Sequence, residues 1–241
     1  RLANRSGGLT IMRVRDWGFV GGFGEDLAKS IDAEVCINLY PEITAAQGIK
    51  PRRQVVLFPT PGLSSWGVIG AGPIRASFYQ DGRLFVVSGG EFYEVSAAGA
   101  GTLIGAVANN ANPASISSNG AGGNQLFVVS GGSGYTYNLS TAAFAVISDG
   151  DFPASVVMGA FADGYFLVLK NESTQFSWSD LNNGVSWPTA SFATKSQSSD
   201  NVRTLIVDHK EVWLFGSQAT EVWYDTGDPT NPFAPVQGVL I

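Results

Sequence analysis

Hydrophobic positions in this chain fall in short runs closed off by Asp-Gly, Gly-Gly or Ser-Gly-Gly, the punctuation of tight hairpins. One hairpin recurs almost unchanged. Arg83-Leu-Phe-Val-Val-Ser-Gly-Gly-Glu-Phe-Tyr-Glu-Val95 returns as Gln125-Leu-Phe-Val-Val-Ser-Gly-Gly-Ser-Gly-Tyr-Thr-Tyr137. Weaker copies follow at Tyr165–Lys170 and Glu211–Gly216. From Leu84 through Leu126 and Phe166 to Val212 the steps are 42, 40 and 46 residues. Strands repeating at that period, with no helical stretch between them, predict the four-stranded blades of a β-propeller.

The repeats lie near 72–107, 113–148, 153–193 and 201–236. In the first, strands are expected at Arg75–Gln80, Arg83–Ser88, Glu91–Val95 and Thr102–Ile104. Asp81-Gly82 forms the first turn, because a two-residue hairpin of this type needs φ > 0 at both positions. Asp163-Gly164 and Asp208-His-Lys210 take the matching place in the third and fourth copies. The Gly-Gly pairs at 89–90, 122–123 and 131–132 read as hairpin positions. Leu-Phe-Val-Val is continuously apolar, as a strand covered on both faces must be. By that alignment Trp213 should be as buried as Phe85 and Phe127. Phe92, Tyr93, Tyr135, Tyr137, Phe176, Trp178, Trp223 and Tyr224 crowd the third strands. They are expected to fill the wedges between blades, each buried ring contributing roughly 1.5–3 kcal/mol.

Residues 1–53 contain no copy of the repeat and are read as an extended N-terminal arm, with blades over 54–241. Asp26 to Asp32 could form one helical turn, but Pro41 and the nearby glycines exclude a long helix. Gln54–Phe58 is the first clear strand and Thr60-Pro-Gly-Leu63 a turn. With too little periodic apolar sequence for its own core, the arm must pack on its own propeller or on an adjacent subunit. Trp17, Phe19, Phe23, Leu39 and Tyr40 are its expected anchors at a partner interface. At the other end, Val239-Leu-Ile241 reads as a strand beginning. Four repeats are few for a propeller of ~4–8 blades. A longer chain is therefore expected.

Composition supports the all-β reading. Of 241 residues, 44% are hydrophobic, 14% are charged and 30 are glycine, too apolar for a disordered chain. No apolar run reaches the roughly 18 residues of a membrane span, and Arg1-Leu-Ala-Asn-Arg-Ser-Gly-Gly lacks the apolar core of a secretion signal. Residues 1–53 carry a net charge of +2 and the remainder −8. A body this acidic is not built to grip a phosphate backbone.

Candidate chemistry is sparse. The single Cys36 excludes a disulfide framework, and with one histidine, His209, no zinc ligand set can be assembled. His209 adjoins Asp208 but sits in a turn, with no Gly-x-Ser-x-Gly elbow elsewhere. Glu91, Glu94, Asp149, Asp151, Asp163 and Glu172 fall mostly at turns, where acids serve conformation. Gly21-Gly22-Phe23-Gly24 lacks the Lys-Ser/Thr of a phosphate loop, and no acid-rich calcium loop is present. Asp180-Leu-Asn-Asn-Gly-Val-Ser-Trp187 resembles the Asp-box hairpin of sialidase-like propellers, matching at Asn182, Gly184, Ser186 and Trp187. That box is structural, and Arg75, Arg83 and Arg203 are the only arginines in the blades, where a sialidase would need an arginine cluster for the sugar carboxylate. No catalytic, cofactor or metal site is expected.

Gly18-Phe-Val-Gly-Gly22, Cys36-Ile-Asn-Leu-Tyr-Pro-Glu42, Thr60-Pro-Gly-Leu63, Gly72-Pro-Ile-Arg75 and Gly82-Arg-Leu-Phe-Val-Val87 occur in that order. Together with Trp178-Ser-Asp-Leu-Asn-Asn183 and Thr220-Glu-Val-Trp-Tyr224 they resemble the packaged DNA stabilisation proteins of short-tailed bacteriophages, also called tail nozzle or hub proteins. The resemblance spans most of residues 18–241; residues 1–11 precede its start. It implies a non-enzymatic virion tail protein made in the bacterial cytoplasm. It further implies a six-fold ring below the portal and its adaptor, with tail fibre or spike and needle or plug proteins around it. Genome DNA would pass without specific binding. The alternative from the residues alone is a sialidase-like propeller that binds or cleaves a host glycan.

Overall fold

A computed structural model describes residues 39–45 and 53–241 of the chain. Two compact units divide at Ser64/Ser65. In the first, β1 (Leu39–Ala45) pairs antiparallel with β2 (Arg53–Pro59) as a two-stranded ribbon. The strand expected near Gln54–Phe58 is thus present, with β1 as its partner. The stretches around Trp17–Gly24 and Asp26–Asp32 lie outside the described residues.

The second unit holds four sheets of four antiparallel strands, each a sequential meander. Blade one is β3 (Ile74–Gln80), β4 (Arg83–Ser88), β5 (Glu91–Val95) and β6 (Gly101–Ala106). Blade two is β7 (Ser115–Ser118), β8 (Gln125–Ser130), β9 (Ser133–Asn138) and β10 (Phe144–Val146). Blade three is β11 (Val156–Ala162), β12 (Tyr165–Lys170), β13 (Gln175–Trp178) and β14 (Phe192–Thr194). Blade four is β15 (Val202–Asp208), β16 (Glu211–Gly216), β17 (Thr220–Asp225) and β18 (Phe233–Leu240). The first strands β3, β7, β11 and β15 neighbour one another in chain order. The sheets are separate blades of a propeller, as the repeat requires.

Turn chemistry explains the hairpins. Asp81-Gly82 and Asp163-Gly164 hold φ of 51° and 80°, and 42° and 96°. In blade four His209 and Lys210 adopt 47° and 70° without glycine, a conformation that costs a non-glycine residue more. Gly122-Gly123 is not a hairpin turn of that kind. It belongs to one turn of helix, Gly120–Gly123, closed by Asn124 in the left-handed region.

The second strands carry the core. Phe85, Val86 and Val87, Leu126–Val129 and Phe166–Leu169 are buried on both faces. Blades one and two meet through Phe85, Val87 and Phe92 against Leu126, Val128 and Tyr137. Blades two and three meet through Phe127 and Val129 against Phe166 and Val168, and blades three and four through Leu167, Leu169 and Phe176 against Val212 and Leu214. The third-strand aromatics fill the wedges as expected: Phe92 lies 6.0 Å from Tyr137 and Phe176 5.2 Å from Trp223, both edge-on. Tyr93 and Tyr224 do not share that burial. Trp213 also departs from expectation. Its alignment with Phe85 and Phe127 holds, but β16 alternates between buried Val212 and Leu214 and half-exposed Trp213 and Phe215. A strand reads as apolar on both faces when blades cover both, and here only one face is covered.

Lys195 and Glu221 anchor the join between blades three and four. Lys195 is buried, and its Nζ donates to Asp200 Oδ1 at 2.5 Å and to the Ala219 carbonyl at 3.0 Å. Glu221 is fully buried and accepts from the backbone N–H of Ser196, Gln197 and Ser198 and from Trp223 Nε1. These partners satisfy charges that would otherwise be costly to bury.

Phe127→Ala should destabilise the second unit by about 3–5 kcal/mol, because it empties a closed ring cluster. Trp213→Ala should cost roughly half that or less, and denaturant melts of the two variants would show the ordering. The Asp200 carboxylate is held well below its ordinary value, first by Lys195 and then by Ser198 and the Gln218 N–H. Its contribution is present above the unfolded pKa and lost as pH falls toward the folded one. Asp200→Asn should therefore melt below wild type at neutral pH, with the gap narrowing as pH drops below about 4.

Candidate functional site

Most of the residues that looked capable of chemistry prove to be structural. The Asp-box-like loop folds on itself: Ser186 Oγ donates to Asp180 Oδ2 at 2.6 Å, and Trp187 Nε1 to the Gly184 carbonyl at 2.9 Å. Trp187 is buried against Phe127 and Phe152. Asp149, from the connection between blades two and three, accepts from the Asp151 and Trp187 backbone N–H groups. Those two bonds, Asp151 first, lower its pKa. Such a carboxylate is a loop fastener, not a general acid.

The arginines do not act together. Arg75 is buried and donates to the carbonyls of Gly89 (2.6 Å), Asn112 (2.7 Å) and Ala108 (3.2 Å). Arg83 makes a two-pronged pair with Glu94, 2.7 Å on each side, and lies over the Phe85 ring. Arg203 is exposed. Three arginines with separate surroundings do not form the carboxylate clamp a sialidase requires. His209 Nδ1 sits 2.8 Å from Asp208 in an exposed turn, and that carboxylate raises its pKa. No nucleophile is paired with it among the described residues. Groups of acids, His or Cys able to hold a metal are likewise absent among the described residues.

The duplicated Ser-Gly-Gly has a role that its reading as a turn does not capture. Ser88 Oγ donates to the Gly72 carbonyl at 3.0 Å, and Ser130 Oγ to the Ala108 carbonyl at 2.7 Å. Gly72 and Ala108 lie on the connections leading into blades one and two. The first glycine of each motif, Gly89 or Gly131, has φ > 0 and presses on that same connection, leaving no room for a Cβ at Gly131. Each motif is a clasp for the incoming chain. In blade four Gly216 replaces the serine, and Lys195 and Asp200 occupy the space.

The first strands line an open groove of about 540 Å³. Its walls run through Ala76–Phe78, Ala114–Ser118, Met158–Phe161 and Leu205–Val207, and hold no charged side chain. At one mouth Asn110, Asn112 and Arg203 face a smaller hollow of about 430 Å³. The turns at the other ends of these strands carry Asp81, Asp163, Asp208, His209 and Lys210. A neutral wall of small, aliphatic and aromatic groups offers neither a base nor an electrophile.

Of the expected interface residues, Trp17, Phe19 and Phe23 lie outside the described residues. Leu39 and Tyr40 open β1, opposite Pro59 and Phe58, and Leu39 is exposed. No helix among the described residues is long and apolar enough to cross a membrane.

Comparison with known proteins agrees with this geometry. No curated protein matches the chain. Among solved structures, a chain of the mitotic checkpoint complex superposes with TM-score 0.50 at 13% identity, over 70% of this chain and 53% of that one. YCF48 bound to D1 peptide gives 0.49 at 16% identity, over 77% and 58%. The computationally designed Ika8 protein gives 0.48 at 10%, over 68% and 48%. The chain thus spans about half the length of these structures, and the likeness at such identities concerns the fold alone. The model of the family described as bacteriophage P22 Gp10, β-propeller, matches residues 31–241. With the blades in place and the ordered arm and blade motifs on which the resemblance rested, the chain belongs to that family, the packaged DNA stabilisation proteins of bacteriophage tails.

Proposed function

We propose that this chain is a non-enzymatic component of the head-to-tail closure, a nozzle or hub that extends the DNA channel below the portal and adaptor and retains the packaged genome. The single observation that carries this reading is the family match over residues 31–241. The fastened Asp-box loop, the dispersed arginines and the neutral groove favour a scaffold over a hydrolase. Charge favours the same role. Residues 54–241 carry a net −8, and an acidic surface beside DNA repels phosphate, so a genome can slide past instead of sticking.

In this reading the chain assembles as a homo-oligomeric ring of six. Tail fibre or spike proteins dock around it and a needle or plug closes it below. The N-terminal arm, through Trp17, Phe19, Phe23, Leu39 and Tyr40, contributes to the contact between neighbouring subunits. The protein is made in the host cytoplasm and resides in the virion.

Particles assembled without this chain should fill with DNA and then lose it. Nuclease-protected DNA per head would be measured after purification, with wild-type protein supplied in trans as the control. Loss of protected DNA, restored by the supplied protein, is the expected result. Heads that keep their DNA but no longer adsorb to cells would point to receptor recognition instead. On sialosides and common glycosides the purified chain should show no turnover.

A further inference from the structure

Two Asn-Gly steps occur in the chain, Asn119-Gly120 and Asn183-Gly184. Asparagine is thermolabile, most of all before glycine, where no Cβ hinders attack of the following backbone nitrogen on the side-chain carboxamide. The fold brings both steps to one place. Asn119 lies on the approach to β8 and Asn183 in the Asp-box-like loop of blade three, and Asn119 Nδ2 donates to the Asn182 carbonyl at 3.2 Å. Gln125, the first residue of β8, serves both steps. Its backbone N–H donates to Asn119 Oδ1 at 2.9 Å, and its Oε1 accepts from the Gly184 N–H at 3.0 Å.

The two carboxamides are held differently. That of Asn119 is engaged at both ends, and its Cγ packs against Gly123, where a Cβ would have no room. Asn183 is exposed. Its Oδ1 accepts from the Val185 N–H at 3.1 Å, an Asx turn that lays the carboxamide along the Gly184 peptide group. Its Nδ2 makes no hydrogen bond among the described residues. Gly184 is buried, and a Cβ there would lie 3.0 Å from the Phe166 ring and 3.3 Å from the Thr136 side chain, so packing favours glycine at this position. The site thus combines an accessible leaving group with an unhindered nucleophile, and the hydrogen bond to Gln125 is what restrains that nucleophile.

We infer that Asn183 is a site of spontaneous deamidation restrained by Gln125, and that Asn119 is protected. Gly184 N gives its proton to a solvent base and bonds to Asn183 Cγ. The Cγ–Nδ2 bond breaks, and the nitrogen takes up a proton and leaves as ammonia. Water then opens the succinimide. Cleavage at Cγ gives aspartate, whereas cleavage at the main-chain carbonyl gives isoaspartate, which routes the backbone through the side chain and lengthens it by one carbon. The hydrogen bond from the Gly184 N–H to Gln125 stabilises the protonated nitrogen and so slows the first step. Isoaspartate displaces Gly184, whose carbonyl accepts from Trp187 Nε1. The change therefore reaches the rings of Trp187, Phe127 and Phe152 in the core between blades two and three.

The test incubates the purified full chain in mildly alkaline buffer at physiological temperature, with sampling over weeks. Proteolysis and mass spectrometry read the mass gain of NH2-to-OH exchange at each asparagine, and elution separates isoaspartate from aspartate. A sample in denaturant supplies the unrestrained rates. In the folded chain Asn183 should convert several-fold faster than Asn119, yet more slowly than in denaturant. Gln125→Leu should raise the Asn183 rate several-fold and leave Asn119, which the Gln125 main chain holds, unchanged. Gln125→Glu keeps the acceptor and should stay at or below the wild-type rate. Chains bearing isoaspartate should melt below freshly prepared Asn183→Asp. Equal conversion at the two asparagines, no conversion at Asn183, no acceleration by Gln125→Leu, or isoaspartate without effect on the melt would each overturn the proposal. Should Gln125→Leu fail to fold, the ratio of Asn183 to Asn119 conversion in the unaltered chain still decides. Failure of the tail assignment would leave these outcomes unaffected.

Discussion

Everything in the second unit depends on one contact, the packing of a blade's second strand against that of the next. A single four-stranded meander has two apolar faces and cannot bury both alone. Stacking blades solves this, and the first and third junctions are then sealed by aromatic rings contributed from third strands, Phe92 with Tyr137 and Phe176 with Trp223, while at the second Phe127 packs on Phe166 and Trp187. The remaining polar features serve the same join. The Ser-Gly-Gly clasps hold the connections entering blades one and two, Arg75 ties one blade to the connection that follows, and Lys195 with Glu221 holds the connection into blade four, where Gly216 replaces the serine.

The blades could be read from the sequence because the information there is local and repeated. Asp-Gly turns, the duplicated Leu-Phe-Val-Val and third-strand aromatics each report one strand and its neighbours, and the observed strands fall where those signals put them. What could not be read depends on contacts between segments far apart in the chain. Trp213 looked equivalent to Phe127, and by register it is, but burial depends on whether a blade lies beyond it. The clasp formed by Ser88 and Ser130 was hidden for the same reason, since its acceptors, Gly72 and Ala108, carry no sequence mark. The first strands of blades one, three and four each bulge, at Arg75, Val157 and Arg203, and these bulges also leave no local signature.

Function was legible only through resemblance. No arrangement of acids, histidine or arginines in the residues announces a role, and the geometry gives Arg75, Arg83, Asp149 and Asp180 structural partners. The ordered motifs of the arm and blades pointed to a phage tail family, and the family match over residues 31–241 supports the same conclusion.

The most direct test is a cryo-EM map of the mature particle from which this chain comes. The account predicts four consecutive four-stranded blades of this sequence in a ring immediately below the portal and adaptor, with side-chain density matching the Phe127–Trp187 and Phe176–Trp223 clusters. A map that places the chain at the distal end of a fibre, or finds it absent from the tail, would contradict it.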